Sequence, residues 1–337
     1  MKLQRNNIET IIFDMDGVIT SEFLYWDAAA LTVYELLYSY EFYGNREIDR
    51  EWCRKNVREV FNTVFCHGKT VQAVKRLGVN TNWDLAYLVF SVSKYLETEI
   101  PDFDSWHFDS VCMFIENIAV QPPKLYENIE GLLASAIPGE AGCYKRGTGL
   151  LWEQILNSFQ RWFHGDGEVE GLKCDEEPIV PLGEIQKTLA ELKNAGFRLG
   201  IGTGRPREEI LFPLTMWNLT GYFKPECIVT YDEVLAAEES LGMKNKLAKP
   251  HPFVFQKAAF GNSFGDEEIV KGAMSKELPA RCLVVGDAPS DFLAAKMGGF
   301  PFCAVLTGVA GTAARGYFEE NKAEMVLDSI LDLKVEV

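Results

Sequence analysis

The chain has 337 residues, of which 47% are hydrophobic, 12% aromatic and 24% charged. This composition is typical of a folded globular protein, and the length accommodates one large domain or two ordinary ones. The formal net charge of -16 argues against a protein that binds nucleic acid by neutralising phosphates, because that mode requires an excess of lysine and arginine.

The eight cysteines are scattered and form no C-x-x-C pair that would suggest a zinc or redox site. This spacing indicates reduced thiols. The polar residues 1–10 show no secretory signal, and no apolar stretch approaches the roughly 20 residues needed to span a membrane. We therefore expect a cytoplasmic protein with neither a membrane nor a nucleic-acid partner.

The first predicted element is a short apolar strand at residues 11–13, which is followed by a long helical region. Residues 21–178 contain amphipathic or apolar segments with few strand signals, so we predict an all-helical insertion. Its predicted helices span 26–42, 50–65, 83–96, 106–120 and 150–163.

The glycine-rich segment 134–149 is the most loop-like part of this insertion. A mobile lid over a site and a long exposed connection between helices both remain open as interpretations.

Strand and helix patterns alternate after residue 178. The first is a helix with a leucine-rich face, which Gly196 is placed to end. Short apolar runs then predict buried strands at 199–201, 228–229, 283–285 and 302–305. The alternation predicts a doubly wound, Rossmann-like parallel sheet. Its domain is discontinuous, with residues 1–20 and 179–337 forming an α/β core around the insertion at 21–178.

Two carboxylates follow the first strand, in a D-x-D-G motif formed by Asp14, Asp16 and Gly17. Ligands of open α/β sheets bind beyond the carboxyl ends of strands, where both acids are expected. Alternatively, the two aspartates cap a turn, which is a common place for this residue type.

A turn after the strand at 199–201 contains Thr203, Gly204 and Arg205. A hydroxyl and free backbone amides at the start of a helix can hold a phosphate. An ordinary strand-to-helix turn is the alternative. For Arg205 and Arg207 we expect a solvated helix start rather than contact with a second anionic group of a substrate.

Two further motifs add a cation and two acids. Lys249 lies between Ala248 and Pro250, where a fixed ammonium could neutralise a nucleophile and phosphoryl oxygens; a solvated surface lysine is the alternative. Asp287 and Asp291 lie at a strand end and in the first turn of the next helix, where a helix-capping role is the alternative. Four motifs at strand ends of one sheet favour a single shared site.

These four motifs, in this order, resemble the haloacid dehalogenase superfamily, in the branch whose helical cap is inserted after the first core strand. The resemblance covers the α/β core from end to end. It implies phosphoryl transfer to water through an aspartyl-phosphate, with a small phosphorylated metabolite as substrate.

The resemblance also implies a role for each matching residue. Asp14 is the expected nucleophile and Asp16 the expected general acid and base. Thr203 and Gly204 would bind the phosphoryl group, and Lys249 would steady its charge. The implied metal ligands are Asp14, Asp287 and the backbone carbonyl of Asp16. Asp291 belongs to the same metal set and would orient either the metal's waters or the lysine.

The charge of this set independently requires a metal. Four carboxylates around one lysine would repel a phosphate dianion unless a divalent cation intervened. An all-oxygen set with few protein ligands suits Mg²⁺, which is the cofactor we expect.

Several alternatives remain open. Asp16 favours phosphoryl chemistry over dehalogenation, since a halide leaves without a proton. Phosphomutases share both aspartates and depend on cap residues, for which Lys69 and Arg76 are candidates without a committing spacing. A phosphonate-cleaving enzyme would need a cap lysine, and the insertion is larger than is typical of this branch, so substrate rules from smaller caps do not transfer.

A non-catalytic, partner-binding protein on the same fold is an alternative from a different class. The tryptophans of the insertion would provide its surface, although such residues more often pack helices. The intact set of acids, threonine and lysine argues against it. The sequence identifies neither the physiological substrate nor the oligomeric state.

Overall fold

The computed structural model describes residues 7–79, 81–97, 99–137, 139, 142–243, 246–272, 275 and 277–335. The chain divides into two compact units. The core unit comprises Met1–Glu22 and Glu176–Val337, and the inserted unit comprises Phe23–Asp175, compared with the predicted insertion at 21–178.

The core unit is built on a six-stranded sheet in which every pairing is parallel. The strand order is β3-β2-β1-β4-β5-β6, so β1 is central and the predicted doubly wound α/β fold is confirmed. The sixth strand was not predicted, because it has three residues of which only Met325 is buried. The strands are β1 (Thr10–Phe13), β2 (Arg198–Gly202), β3 (Ile228–Val229), β4 (Cys282–Gly286), β5 (Phe302–Val305) and β6 (Met325–Leu327).

The register of the central strands aligns their carboxyl ends. Phe13, the last residue of β1, pairs with Ile201 of β2 and with Val285 of β4. Both faces of the sheet are buried: Phe13 packs in one apolar cluster and Ile12 in another. The residues that follow β1, β2 and β4 therefore leave the sheet along one edge.

The inserted unit is helical, with α1 and α5 forming much of its buried interior. The predicted helix at 50–65 is two helices, because Asn56 has a non-helical backbone and joins their ends. Helices α4 and α7 were not predicted. The helices of this unit are α1 (Phe23–Tyr38), α2 (Arg50–Lys55), α3 (Val57–Val64), α4 (Lys69–Arg76), α5 (Asn82–Leu96), α6 (Ser105–Glu116), α7 (Lys124–Ala136) and α8 (Leu150–His164).

Tryptophans of the inserted unit pack mainly inside it. Trp26, Trp152 and Trp162 are buried, whereas Trp106 is 77% exposed. The buried three therefore pack the interior of the unit, as tryptophans between helices commonly do.

The glycine-rich segment 134–149 differs from the prediction at its start, where residues 134–136 belong to α7. Residues 138, 140 and 141 lie outside the described part of the chain. Two of the remaining residues are fixed on α5: the Tyr87 hydroxyl donates to the Tyr144 carbonyl at 2.8 Å, and Arg146 Nη2 donates to Asp84 Oδ2 at 2.8 Å. These contacts favour a packed connection over a lid.

The core helices cover both faces of the sheet. Gly196 follows the end of α9 with a left-handed φ of +88°, as predicted, and Gly299 ends α14 with a φ of +76°. These helices are α9 (Leu182–Asn194), α10 (Arg207–Met216), α11 (Tyr231–Leu241), α12 (Phe253–Phe260), α13 (Asp266–Val270), α14 (Pro289–Gly298) and α15 (Arg315–Glu320). Short 3-10 helices span Cys66–Gly68, Leu172–Asp175, Thr220–Tyr222, Pro225–Cys227, Pro279–Arg281, Gly311–Ala314 and Ile330–Asp332.

Among the described residues, no helix combines the length and the apolar character that crossing a bilayer requires.

Candidate active site

Asp14 directly follows the central strand and is fixed on both sides. Its backbone N–H donates to the Val285 carbonyl at 2.9 Å, which extends the β1–β4 pairing by one residue. Its own Oδ1 accepts a hydrogen bond from the Met15 N–H at 2.8 Å. Asp14 is only 8% exposed. Its carboxylate is therefore buried at the carboxyl end of β1.

Lys249 binds this carboxylate. Its Nζ lies 2.9 Å from Asp14 Oδ1 and 2.8 Å from Asp291 Oδ1. The ammonium also lies over the Phe255 ring, 4.8 Å from its centroid. The Lys249 side chain is 13% exposed, so it is not a solvated surface lysine but a largely enclosed cation that bridges two carboxylates.

Asp291 is positioned by the start of α14. Its Oδ2 accepts a hydrogen bond from the Ala288 N–H at 3.2 Å, so the side chain closes the first turn of its helix. The other oxygen points to Lys249, so Asp291 serves both the helix start and the site.

Asp287 lies between two glycines. A Cβ added at Gly17 would lie 2.4 Å from Asp287 Cγ, and one added at Gly308 would lie 1.7 Å from Asp287 Oδ2. The Thr307 hydroxyl donates to the Gly17 carbonyl at 2.5 Å and joins the two glycine segments. Only residues without a side chain leave room for the carboxylate at this place.

The carboxylates of Asp14, Asp287 and Asp291 form a cluster whose oxygens lie within 4.8 Å of one another. All three are hard oxygen donors, and Lys249 contacts two of them, Asp14 and Asp291. This donor set fits a small divalent cation that keeps part of its water shell, as Mg²⁺ does.

Burial and mutual repulsion shift the pKa values of this cluster. Burial raises the pKa of Asp14 to about 7, against the opposing effect of Lys249, and the nearby Asp291 and Asp16 raise it further. Burial and the neighbouring acids also raise the pKa of Asp287 well above its usual value. Burial lowers the pKa of Lys249, but Asp14 and Asp291 outweigh it, so the net shift is upward and the amine stays charged. The charge excess of the acids is what a divalent cation would offset.

The side chain of Asp16 contacts Arg205, not the residues of the carboxylate cluster. Arg205 Nε donates to its two oxygens at 2.9 and 3.1 Å, and Arg205 Nη1 donates to Glu176 Oε1 at 2.8 Å. Arg205 is 3% exposed, so the expectation of a solvated helix start is wrong for this residue. Burial raises the pKa of Glu176 to about 7 although Arg205 lowers it.

The two predicted phosphate-binding residues in the turn after β2 differ in their exposure to solvent. Thr203 is 1% exposed, its N–H donates to the Val229 carbonyl at 3.0 Å, and its Oγ1 accepts from the Arg205 N–H at 3.2 Å. Gly204 is exposed, with no heavy atom within 4 Å of an added Cβ. The exposed backbone of Gly204 is therefore the more accessible of the two to a ligand.

Three residues of this site were not predicted. Thr307 and Gly308 follow β5, so the same strand-end argument that identified Asp14 applies to them. Glu176 follows no strand, and no local pattern distinguishes it from neighbouring Glu177.

Known proteins resemble this chain at several levels. A family model described as haloacid dehalogenase-like hydrolase matches residues 8–299. Pyrophosphatase PpaX from Bacillus thuringiensis (strain Al Hakam) is 25% identical over 181 residues, which cover 54% of this chain and 67% of the relative.

Two solved structures align with nearly the whole length of the chain, at different levels of similarity. An X-ray structure from the Northeast Structural Genomics Consortium has a TM-score of 0.77 and 28% identity, and the match covers 97% of each chain. A HAD family hydrolase from Deinococcus radiodurans R1, with bound phosphate and sodium, has a TM-score of 0.43 and 15% identity over 97% of this chain and 93% of that one.

Proposed function

Because the chain belongs to the haloacid dehalogenase-like hydrolase family, we propose that it is a magnesium-dependent phosphatase. Its substrate is a small phosphorylated metabolite, and the phosphoryl group passes to water through Asp14. The main support is that Lys249 contacts Asp14 and Asp291. These two residues and Asp287 form the cluster whose carboxylate oxygens lie within 4.8 Å of one another.

Asp14 begins the reaction. One oxygen of its carboxylate attacks phosphorus, a new O–P bond forms, and the bond from phosphorus to the leaving oxygen of the substrate breaks. Lys249 offsets negative charge on the nucleophile and on the transferred phosphoryl group. The backbone at Thr203 and Gly204 provides the phosphoryl contact in this proposal.

Asp16 moves the protons. It protonates the leaving alkoxide in the first step and then accepts a proton from the water that attacks the aspartyl-phosphate. The acyl O–P bond then breaks, which releases inorganic phosphate and restores the Asp14 carboxylate. The side chain of Asp16 is 23% exposed, so a substrate and water can reach it.

A divalent cation would be held by Asp14, Asp287 and the backbone carbonyl of Asp16, with Asp291 as a ligand or as a partner of bound water. When bound, the cation neutralises charge on the phosphoryl oxygens as the ester bond breaks. The separate task of Asp291 is to hold the Lys249 ammonium toward Asp14, which the 2.8 Å contact supports.

Asp14→Asn provides the direct test of this proposal. The amide is a far poorer nucleophile, so we expect turnover of p-nitrophenyl phosphate to fall by about 10³-fold or more while the fold is kept. The measurement is kcat with purified protein in Mg²⁺, with thermal unfolding as the check on folding.

Glu191→Gln is the matched control, since Glu191 is an exposed carboxylate on α9. It removes the same charge and should leave turnover unchanged. Wild-type activity in Asp14→Asn would refute the nucleophile and the proposed chemistry with it.

The choice of substrates follows from the relatives and from the open alternatives. The PpaX relative is named a pyrophosphatase, so pyrophosphate belongs in a phosphate-release screen together with sugar phosphates, phosphoglycolate and nucleotides. Conversion of a sugar 1-phosphate to its isomer with little free phosphate would instead identify a phosphomutase.

A cytoplasmic location is part of the same proposal. All eight cysteines lie in the described part of the chain and are free thiols, which suits a reducing compartment.

A further inference from the structure

Arg205 is the cation that holds the proposed general acid and base. Its Nε donates to Asp16 Oδ1 and Oδ2 at 2.9 and 3.1 Å, and its Nη2 also binds Oδ1. Contact from one guanidinium to both carboxylate oxygens fixes orientation as well as position. Thr20 adds only a long hydrogen bond of 3.4 Å to Asp16. Arg205 is therefore the main determinant of where the Asp16 carboxylate points.

Glu176 holds the side of the guanidinium that faces away from Asp16. Its Nη1 donates to Glu176 Oε1 at 2.8 Å, and the side chains of Arg205 and Glu176 are only 3% and 2% exposed. A third contact runs from Nη2 to the Ser21 carbonyl at 3.4 Å. Burial on this side contrasts with the Asp16 side chain, which is 23% exposed. The arrangement is a buried anchor with an accessible carboxylate at its end.

The backbone of Arg205 is equally fixed. Its N–H donates to Thr203 Oγ1 at 3.2 Å, and its carbonyl accepts from the Tyr231 N–H at 2.9 Å. Both ends of the side chain are held, so the position of the guanidinium is set by the fold before any substrate binds.

We propose that Arg205 and Glu176 are positioning residues that act through Asp16, with Glu176 holding Arg205 and Arg205 aiming the Asp16 carboxylate at the leaving oxygen. This inference rests on the proposed function, because it assigns a partner to the acid of that reaction. The proton donated to the leaving oxygen is carried by Asp16 Oδ2, which Arg205 contacts only at 3.1 Å, while Oδ1 keeps its contacts with the guanidinium. Arg205 itself neither gains nor loses a proton.

Dependence on the leaving group separates this role from a structural one. p-Nitrophenolate leaves readily without a proton, whereas phenolate benefits from protonation, so only phenyl phosphate depends strongly on Asp16. In Arg205→Met we expect kcat/KM for phenyl phosphate to fall about 100-fold and that for p-nitrophenyl phosphate to fall about 3-fold. A general loss of structure would lower both values equally.

Arg207→Met is the matched control. Arg207 lies two residues further on and forms its own ion pair with Glu233, outside the proposed machinery. It should keep the wild-type ratio of the two kcat/KM values.

A double-mutant comparison tests whether Arg205 acts through Asp16. In an Asp16→Asn background, Arg205→Met should lower kcat/KM for phenyl phosphate by less than about 2-fold, since the group it positions is already inactive. Full additivity of the two losses would overturn the proposal.

Arg205→Met leaves two carboxylates without their cation, which could prevent folding. In that case variants of Glu176 test the proposal. Glu176→Ala should lower the phenyl phosphate value about 10-fold, and Glu176→Gln should restore most of it, since an amide oxygen can accept the same hydrogen bond. An unchanged ratio of the two substrates in Glu176→Ala would contradict the inference.

The two levels of failure are distinguishable. If the wild type hydrolyses neither aryl phosphate with Mg²⁺, the proposed function is wrong and this inference with it. If the wild type is active but Arg205→Met and Glu176→Ala keep its substrate ratio, only the positioning role is wrong.

Discussion

Asp287 shows at the residue scale how closely the backbone surrounds the proposed site. Gly17 and Gly308 leave the space that its carboxylate occupies, since a Cβ at either glycine would overlap it. A metal-binding carboxylate must keep its position to within a fraction of an ångström to serve as a ligand. The two glycines are therefore as necessary to the site as the acid.

Gly308→Ala should disable the site without unfolding the protein. The added methyl group would lie 1.7 Å from Asp287 Oδ2 and must displace this carboxylate. We expect at least about a 10-fold rise in the Mg²⁺ concentration that gives half-maximal activity. A Mg²⁺ titration of phosphatase activity measures it.

Gly316→Ala is the control for this change, because nothing lies within 4 Å of the position of its added Cβ. It should keep the wild-type Mg²⁺ dependence. Identical titrations for the two alanine variants would contradict the steric argument.

Arg205 marks the limit of sequence reasoning at this scale. Asp14, Asp287 and Asp291 follow or flank strand ends, and their convergence could be predicted from the rule that parallel strands end at one edge. The roles assigned to them stay predictions. The partners of Arg205 lie 189 and 29 residues away in sequence, and no local spacing distinguishes a buried arginine between two carboxylates from a solvated arginine.

Helix α1 shows at the element scale what burial does to a charge. Asp27 is 1% exposed within the inserted unit, and Arg58 Nη1 approaches its Oδ1 at 3.2 Å. Burial raises the pKa of Asp27 from 3.8 to about 6, because the partly exposed arginine offsets only part of the desolvation. The folded state therefore binds this proton more tightly than the unfolded state.

A definite pH dependence of stability follows from this shift. The contribution of Asp27 is complete below about pH 4 and is lost as pH rises through about 6, a change of about 3 kcal/mol in the free energy of unfolding. Asp27→Asn should remove this change. Urea unfolding at about pH 4 and pH 7 measures it, followed by the fluorescence of tryptophan, which is concentrated in the inserted unit.

Glu47→Gln provides the comparison, since Glu47 is an exposed acid of the same unit. Its stability difference between the two pH values should match that of the wild type. If Asp27→Asn also matches the wild type, the raised pKa is wrong.

Elements were predictable where one pattern dominated. The buried strands β1, β2, β3, β4 and β5 were predicted from continuous apolar runs, which parallel strands require. Strand β6 was missed because two of its three residues are only half-buried. The break at Asn56 was missed because asparagine is tolerated in helices and its non-helical backbone depends on the surrounding packing.

At the scale of the whole molecule, the predicted family is confirmed by a match over residues 8–299. The predicted parallel fold is confirmed as well. What remained out of reach of the sequence is the substrate, because it depends on side chains that no shared motif specifies.

Binding of Mg²⁺ should stabilise the folded protein, because the three clustered carboxylates are brought within 4.8 Å only by the fold. At 100 times its Kd, an ion that binds only the folded state adds about 2.7 kcal/mol, or about 4 °C in the Tm of a chain of this length. Thermal unfolding with and without Mg²⁺ measures the shift, and Asp287→Asn should abolish it.

Ionic strength must be matched with NaCl in this experiment, since the chain has a net charge of -16 that any salt screens. The Glu191→Gln variant should keep the Mg²⁺ shift. An equal shift in NaCl alone would show that screening, not a bound ion, is the cause.

The two segments that connect the core unit to the insertion pair with each other inside the core unit. Thr20 and Pro178 form an antiparallel bridge, and the Ile179 N–H donates to the Ile19 carbonyl at 2.9 Å. This pairing closes the core unit across the two ends of the insertion, so its formation does not depend on the number of residues between them. We call this pairing the junction. An insertion of another length or sequence could therefore take the place of this one at the junction and leave the two aspartates that follow β1 in position.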